Sequence, residues 1–360
     1  MNDNLNTNKM IVYMGFNNML KHKRGVENVI DFQYKAAFGK INYYLHWDVR
    51  TAVYRYKDFI CISIKNDTSR FLALNYILRK IKKRDKCIFI HSHNTLMSIM
   101  SVYKTDLFTV HDALYYQNKA VGHRLSNFFY LLEILLYKRV AFVHFISDYA
   151  KKMSLFSNKN NFSIIYNTSH LEKYKYSGPV KSTKVPYRSS AIKVFVVRGI
   201  EERSRIDLIL SIAEKLGHGQ YEFLVAGKGP LFDFYNDQVA ALQLKNIQFL
   251  GFVSDEQLIS YYDACDLVLM PAEYGEGFGL PIIEGYLFNK PVIASNRCAI
   301  PEVIYSNEYL FENNVDSIIE KLKYAGKDLD DDYRLYYDTN FSNTLINNKL
   351  HNLYKSLIKC

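Results

Sequence analysis

The 360 residues are 49% hydrophobic and 23% charged, with 16 Gly and 7 Pro, which excludes a disordered or fibrous chain and leaves room for two cores. The net charge of +10 is unevenly spread: residues 1–180 hold 27 Lys/Arg against 12 Asp/Glu, a net of +15, whereas 181–360 hold 19 against 24, a net of −5. The five cysteines (Cys61, Cys87, Cys265, Cys298, Cys360) are odd in number and show no C-x-x-C or Cys/His spacing, which argues against a zinc site and a disulfide framework.

The polar start MNDNLNTNKM runs straight into a strand-like segment, without the basic and apolar regions of a signal peptide, so a reducing, cytoplasmic setting is expected. Short apolar runs at 11–16, 41–46, 59–64, 87–91, 107–111, 142–147 and 162–167 read as strands, and 26–38, 69–84, 122–138 and 148–156 read as helices between them. Such alternation implies parallel sheets covered on both faces. The most apolar stretch, Leu125 to Ile146, is interrupted by Glu133, Lys138 and Arg139, so it reads as a buried helix entering a buried strand rather than a membrane span.

Two dense basic runs, Lys21-His22-Lys23-Arg24 and Arg79 to Lys86, suit phosphate on anionic lipid or a lipid diphosphate; the plainer reading is a solvated face. No nucleic-acid-binding signature accompanies the 30 Tyr and 23 Phe, and no nucleic-acid partner is expected. From Thr168 to Ser190 the chain turns polar, with Gly178, Pro179 and Pro186, and reads as a linker. A second alternating series follows, with strands at 192–198, 221–227, 247–252, 266–271 and 291–295 and helices near 205–216, 231–243, 255–263, 281–288 and 314–325. The expected fold class is α/β: two doubly wound, Rossmann-like parallel-sheet domains (1–175 and 191–335, linker 176–190) with a ligand held in the cleft they face. A last helix at about 340–360, with Leu345, Leu350, Leu353 and Leu357 at helical spacing, is expected to pack back on the first domain.

The most informative segment is MPAEYGEGFGLPIIEGYLFNKPVIAS, from Met270 to Ser295. A buried strand ends at Pro271, a loop with Gly275, Gly277 and Gly279 follows, and Pro281 stands at the first turn of a helix, where its missing N–H costs nothing. The glycines let a ligand approach the backbone, and free N–H groups at the helix start make a seat for an anion such as phosphate. Glu276 and Glu284 bracket this seat. Carboxylates repel phosphate, so they suit sugar or ribose hydroxyls as hydrogen-bond acceptors; the competing reading is a helix-start acid and an ordinary solvated Glu.

Here the chain resembles the retaining GT-B glycosyltransferases of the group 1 type, whose hallmark is a Glu, seven residues, Glu segment, written here Glu276 to Glu284. The order and spacing of GKGPL at Gly227, LGFVSDEQL at Leu250, YYDACDLVLMP at Tyr261, KPVIAS at Lys290 and IPEVI at Ile300 agree, as do HSHN at His91, TVHDA at Thr109, FISDYAKK at Phe145 and IIYN at Ile164. The resemblance implies that Arg198, Arg203, Gly279 and Leu280 bind the donor diphosphate, with Arg205 as the alternative second cation. It implies Glu276, Gly277, Phe278 and Gly279 at the donor sugar, Glu284 on the ribose, and Phe252 and Val253 at the base. His111 matches a family histidine at the reaction centre, so His111 and Glu276 are the catalytic candidates. Gly25, His91, His93 and Asp112 are weaker candidates on the acceptor side.

The reaction so implied is metal-independent, retaining transfer of a hexosyl unit from a UDP- or GDP-sugar, the nucleotide sugar being a co-substrate and no cofactor or metal being required. Positive groups would stabilise the departing diphosphate. The implied acceptor is a saccharide, lipid-diphosphate-linked, in the synthesis of bacterial O-antigen, capsule or exopolysaccharide, and the implied location is cytoplasmic, peripheral on an anionic inner membrane face. Two alternatives stay open: a nucleotide-sugar epimerase or phosphorylase of the same fold, and a non-catalytic carbohydrate- or nucleic-acid-binding protein.

Overall fold

The computed structural model describes residues 10–21, 25–36, 42–111, 114–120, 122–175, 191–325 and 332–358. Asp112, His22 to Arg24, the 176–190 segment and Cys360 lie outside the described residues. Two compact units emerge, Met1–Asn167 with Thr344–Cys360, and Thr168–Asn343.

The first unit is built on eight strands: β1 (Met10–Met14), β2 (Asn42–Asp48), β3 (Ala52–Tyr56), β4 (Phe59–Lys65), β5 (Ile88–Ser92), β6 (Thr105–Val110), β7 (Val140–Phe145) and β8 (Phe162–Ile164). Their order is β3-β4-β2-β1-β5-β6-β7-β8. The uninterrupted apolar run of β1 is buried from Ile11 to Met14, as a strand with helices on both faces must be. The sheet is parallel except at one edge, where β3 pairs antiparallel with β4. The sequence reading missed β3, because AVYRY alternates half-buried and exposed positions and lacks the continuous apolar signal of its neighbours. A two-residue link through Lys57, at φ 50°, makes the hairpin.

The helix Asn343–Leu357 places Ile346, Leu350, Leu353 and Tyr354 on one face, which packs against Tyr13, Phe59 and Phe89. The basic run at Arg79 to Lys86 sits at the end of the helix Arg70–Arg84, with Lys82, Lys83 and Arg84 in its last turn, where cations complement the helix dipole.

The second unit holds β9 (Ile192–Val197), β10 (Tyr221–Ala226), β11 (Ile247–Gly251), β12 (Leu267–Met270), β13 (Val292–Ser295) and β14 (Leu310–Phe311), in the order β11-β10-β9-β12-β13-β14. All its pairings are parallel. The helix Ile206–Leu216 buries Ile206, Ile209, Leu210 and Ala213, and Ser254 with Gln257 forms a capping box that starts the helix Asp255–Ala264. The chain winds from β9 outward through β10 and β11, then returns past β9 to β12. Strand order therefore reverses between β9 and β12, and the loops leaving their carboxyl ends diverge there; in open α/β sheets this switch point is where ligands bind. Among the described residues no helix is long and apolar enough to cross a membrane.

Candidate active site

The switch point of the second unit gathers the residues the sequence singles out. Arg198 follows the last residue of β9, and its N–H donates to Ala226 O at 2.9 Å, which continues the ladder and fixes its backbone. Its side chain is 6% exposed and pairs with Glu276, Nη1 to Oε2, at 2.6 Å. Burying a guanidinium is tolerable only with such a partner. Arg198 Nε is also buried and has no hydrogen-bond partner among the described residues. One donor of the fork is thus held by a carboxylate, and another is left for something else.

The loop after β12 carries Glu276 into this position. Gly279 has φ 95° and caps the helix Leu280–Leu287, with Pro281 in the first turn; L-residues with a side chain seldom adopt that backbone angle. Phe278 is buried and packs edge-on against Phe341 at 6.0 Å, which anchors the loop between Glu276 and Gly279. The loop after β10 closes the other side. A Cβ on Gly227, at φ 135°, would lie 1.7 Å from Arg198 O, so only glycine lets these two backbones touch.

Two further arginines follow. Arg203 donates from Nε to Glu201 at 2.7 Å and from Nη1 to Gly275 O at 2.7 Å, and its own carbonyl accepts from Glu273 N at 2.8 Å. It is therefore laced to the glycine-rich loop. Arg205 is paired with Asp207 and with Glu273, two carboxylates that occupy its fork. Of the two alternative cations, Arg203 is the one the backbone of the glycine-rich loop holds.

Glu284, just over one turn into the helix from Gly279, is buried. Tyr262 donates its O–H to Oε2 at 2.8 Å, Ser169 donates to Oε1 at 3.5 Å, and His170 Nδ1 lies 3.9 Å away. Burial pushes the Glu284 carboxyl above its ordinary range, against the His170 charge and these hydrogen bonds, which act downward. Asp255 beside it behaves oppositely. Burial acts upward there too, but the hydrogen bond and charge of His170, with Lys173 and Tyr174, bring the carboxyl down to about 2.

Sequence reasoning missed Tyr262, Ser169, His170 and Asp255 as partners of this acid. Ser169 and His170 fall in the polar stretch read as the start of a linker, yet Ser169 is fully buried. Nothing in local spacing signals a contact made 115 positions away. Phe252 and Val253 follow β11; Val253 is buried, whereas Phe252 is 78% exposed.

In the first unit His91, His93 and His111 come together at the carboxyl ends of β5 and β6. His93 Nδ1 and His111 Nε2 are 2.7 Å apart, with rings 5.0 Å apart. His91 belongs to a buried relay instead. His144 Nε2 donates to Ile165 O at 2.9 Å, which leaves His144 Nδ1 to accept from Thr109 at 3.0 Å. Thr109 then accepts from His91 Nε2 at 2.7 Å, and His91 Nδ1 accepts from Tyr354 at 2.7 Å. Every polar atom of the His91 ring is so engaged, which makes its role structural. Burial drives all four imidazoles down, His91 and His93 well below the ordinary range, His111 to about 3 and His144 to about 4. They are neutral at physiological pH, so His111 can offer hydrogen bonds but no positive charge. Gly25 begins the helix Gly25–Ala36.

The family model for glycosyl transferases group 1 matches residues 181–340. The GPI3 subunit of phosphatidylinositol N-acetylglucosaminyltransferase from Saccharomyces cerevisiae is 25% identical over 266 residues, 68% of this chain and 56% of that protein. The O-antigen chain mannosyltransferase B of Escherichia coli is 41% identical over 73 residues, 20% of this chain and 19% of that one. The chain spans about half the length, or less, of the curated relatives it matches. Among solved structures, Anabaena Alr3699/HepE, crystallised with UDP and glucose, superposes with a TM-score of 0.72 at 14% identity, covering 96% of this chain and 99% of that one. The chain thus shares the GT-B fold over nearly its whole length, and its segment 181–340, which encloses Arg198, Glu276 and Glu284, is similar to the group 1 glycosyl transferases.

Proposed function

We propose that the protein is a retaining, metal-independent hexosyltransferase that moves a sugar from a UDP- or GDP-linked donor to a lipid-linked saccharide in the assembly of a bacterial surface polysaccharide. The observation that carries this reading is Arg198, a buried guanidinium at the switch point with Nε unpartnered and Nη1 on Glu276. A diphosphate would take the Nε donor of Arg198 and the N–H of Leu280 that opens the helix after Gly279, since Pro281 has no N–H and Ile282 N–H donates to Gly279 O at 3.0 Å, while Arg203 adds a second cation on the same loop. As the bond from the anomeric carbon to the diphosphate breaks, these groups stabilise the charge that develops on the leaving oxygen. The acceptor oxygen bonds to the same face of the sugar, and its proton passes to a departing phosphate oxygen.

Glu276 orients the donor sugar through its hydroxyls, Glu284 serves the ribose, and neutral His111 meets the acceptor. The solved relative with UDP and glucose supports a uridine donor, and the O-antigen relative supports a polysaccharide product. The exposed cations of the helix Arg70–Arg84 and the run at Lys21 suit peripheral docking on anionic lipid. Incubating the full chain with UDP- and GDP-sugars and a polyprenyl-diphosphate saccharide tests the reading. Release of nucleoside diphosphate with a lengthened, anomerically retained product is expected; hydrolysis or epimerisation alone would refute transfer.

A further inference from the structure

In the first unit a cavity of about 400 Å³ lies against the helix Ser126–Arg139. Its wall is aromatic, with Phe16, Trp47, Phe108, Phe128, Phe129 and Phe156. His93 and His111 line it as well. His93 is 3% exposed, and its Nε2 has no hydrogen-bond partner among the described residues; the same holds for Trp47 Nε1. The helix itself is apolar on both sides, with Phe129, Leu132 and Leu136 on the cavity wall. Glu133, its one acid, is buried and faces the cavity, while Leu125, Phe128, Leu131 and Leu135 are 40–56% exposed. Phe128 belongs to both surfaces, so the apolar lining continues onto the outer face. Apart from Glu133, every charged residue from 114 to 139 is a cation, and Lys119, Arg124 and Lys138 are exposed.

We infer that this cavity holds the hydrocarbon chain of a lipid, and, resting on the function proposed above, that the lipid is the acceptor. A sugar ring buries many hydroxyls, each needing a partner, and several polar side chains of this wall are committed elsewhere, Asn94 to Gly15 O and Met97 N, Thr109 to the histidine relay and Ser154 to Phe156 N. A chain bearing one or two oxygens fits it: methylenes lie along the phenyl rings, and an oxygen meets His93 Nε2. That nitrogen is suited to an uncharged oxygen, because His93 is neutral and shares a single proton with His111 across their 2.7 Å contact. Outside, exposed leucines framed by lysine and arginine match an anionic lipid surface from which the chain is drawn.

The test titrates the full chain with 11-(dansylamino)undecanoic acid and displaces it with straight-chain alcohols from butanol to decanol. Affinity is expected to rise about fourfold per methylene until the cavity is filled. Leu132→Trp, which fills the cavity from its wall, is expected to weaken the probe at least tenfold and to leave thermal stabilisation by UDP or GDP unchanged. A chain-length series that is flat, or Leu132→Trp binding the probe as tightly as the parent, overturns the inference. If Leu132→Trp fails to fold, the alcohol series on the unmodified protein decides. Loss of nucleotide stabilisation with the chain-length dependence intact would refute the donor reading alone, and the converse would refute the cavity alone.

Discussion

Replacing Glu276 by Gln separates the ion pair that the structure shows for this carboxylate from the donor-sugar role proposed for it. Without ligand, Glu276 neutralises Arg198, whose side chain is 6% exposed, across 2.6 Å, while Glu276 itself is 16% exposed. Breaking a buried ion pair from one side costs roughly 3–5 kcal/mol. Gln keeps an acceptor for Arg198 Nη1, and Glu276 is partly solvated, so the expected loss is about 2 kcal/mol. A bound diphosphate supplies the missing negative charge and no longer competes with a carboxylate for the guanidinium. UDP or GDP should therefore stabilise Glu276→Gln more than the parent protein, by mass action on the folded state. Transfer should nevertheless fall about 100-fold or more, which corresponds to roughly 2.7 kcal/mol of lost transition-state stabilisation. Amide hydrogen exchange in β9 and β12, with and without nucleotide, reads the first two effects, and nucleoside diphosphate release reads the third. A variant as stable as the parent, or one that nucleotide stabilises less, would refute this division of roles.

Gly227→Ala should cost about 3 kcal/mol or more and abolish nucleotide binding, because its Cβ would stand 1.7 Å from Arg198 O at φ 135°; a urea midpoint as high as the parent's contradicts the geometry. Tyr262→Phe strips the shortest hydrogen bond from the buried Glu284 and should cost about 1–3 kcal/mol, with Glu284→Gln relieving part of that loss. Glu284 has a raised folded-state pKa, so its contribution is most favourable below the unfolded value of 4.5 and declines as pH rises through the folded one; Glu284→Gln should flatten that dependence. His144 has the opposite sense: its pKa falls from 6.5 to about 4 by burial, so its stabilisation is complete above pH 6.5 and is lost as pH drops toward 4. That loss is about 3 kcal/mol, and Trp47, the single tryptophan, reports it from the first unit by fluorescence. A urea midpoint constant from pH 7 to pH 4 would contradict the buried relay.

The parallel strands were legible because burial on both faces writes them as continuous apolar runs, and the glycine-rich loop was legible because its glycines and Pro281 are local devices with local causes. The hairpin of β3 and the two-residue strand β14 were not, since an edge strand exposes half its residues and a short strand leaves no period to read. At the site, Glu276 and Gly279 stood out in the loop that leaves a buried strand, whereas Arg198 was singled out by the resemblance alone. The choice between Arg203 and Arg205 could not, because it turns on contacts with Gly275, Asp207 and Glu273 that only the folded chain brings together. The Ser169–His170–Glu284 contacts and the relay through Thr109 were invisible for the same reason. The sequence view of Glu284 as a free hydroxyl acceptor gains a physical qualification: Tyr262 already places one hydroxyl on its Oε2.

Isothermal titration of UDP and GDP into the parent protein and into Arg198→Ala tests the diphosphate seat most directly. Saturable one-to-one binding of at least one nucleotide is predicted for the parent. A loss of at least tenfold is predicted for the variant, as removal of a charged hydrogen-bond donor requires. Equal affinity in the two proteins, or no affinity in the parent, would contradict the account.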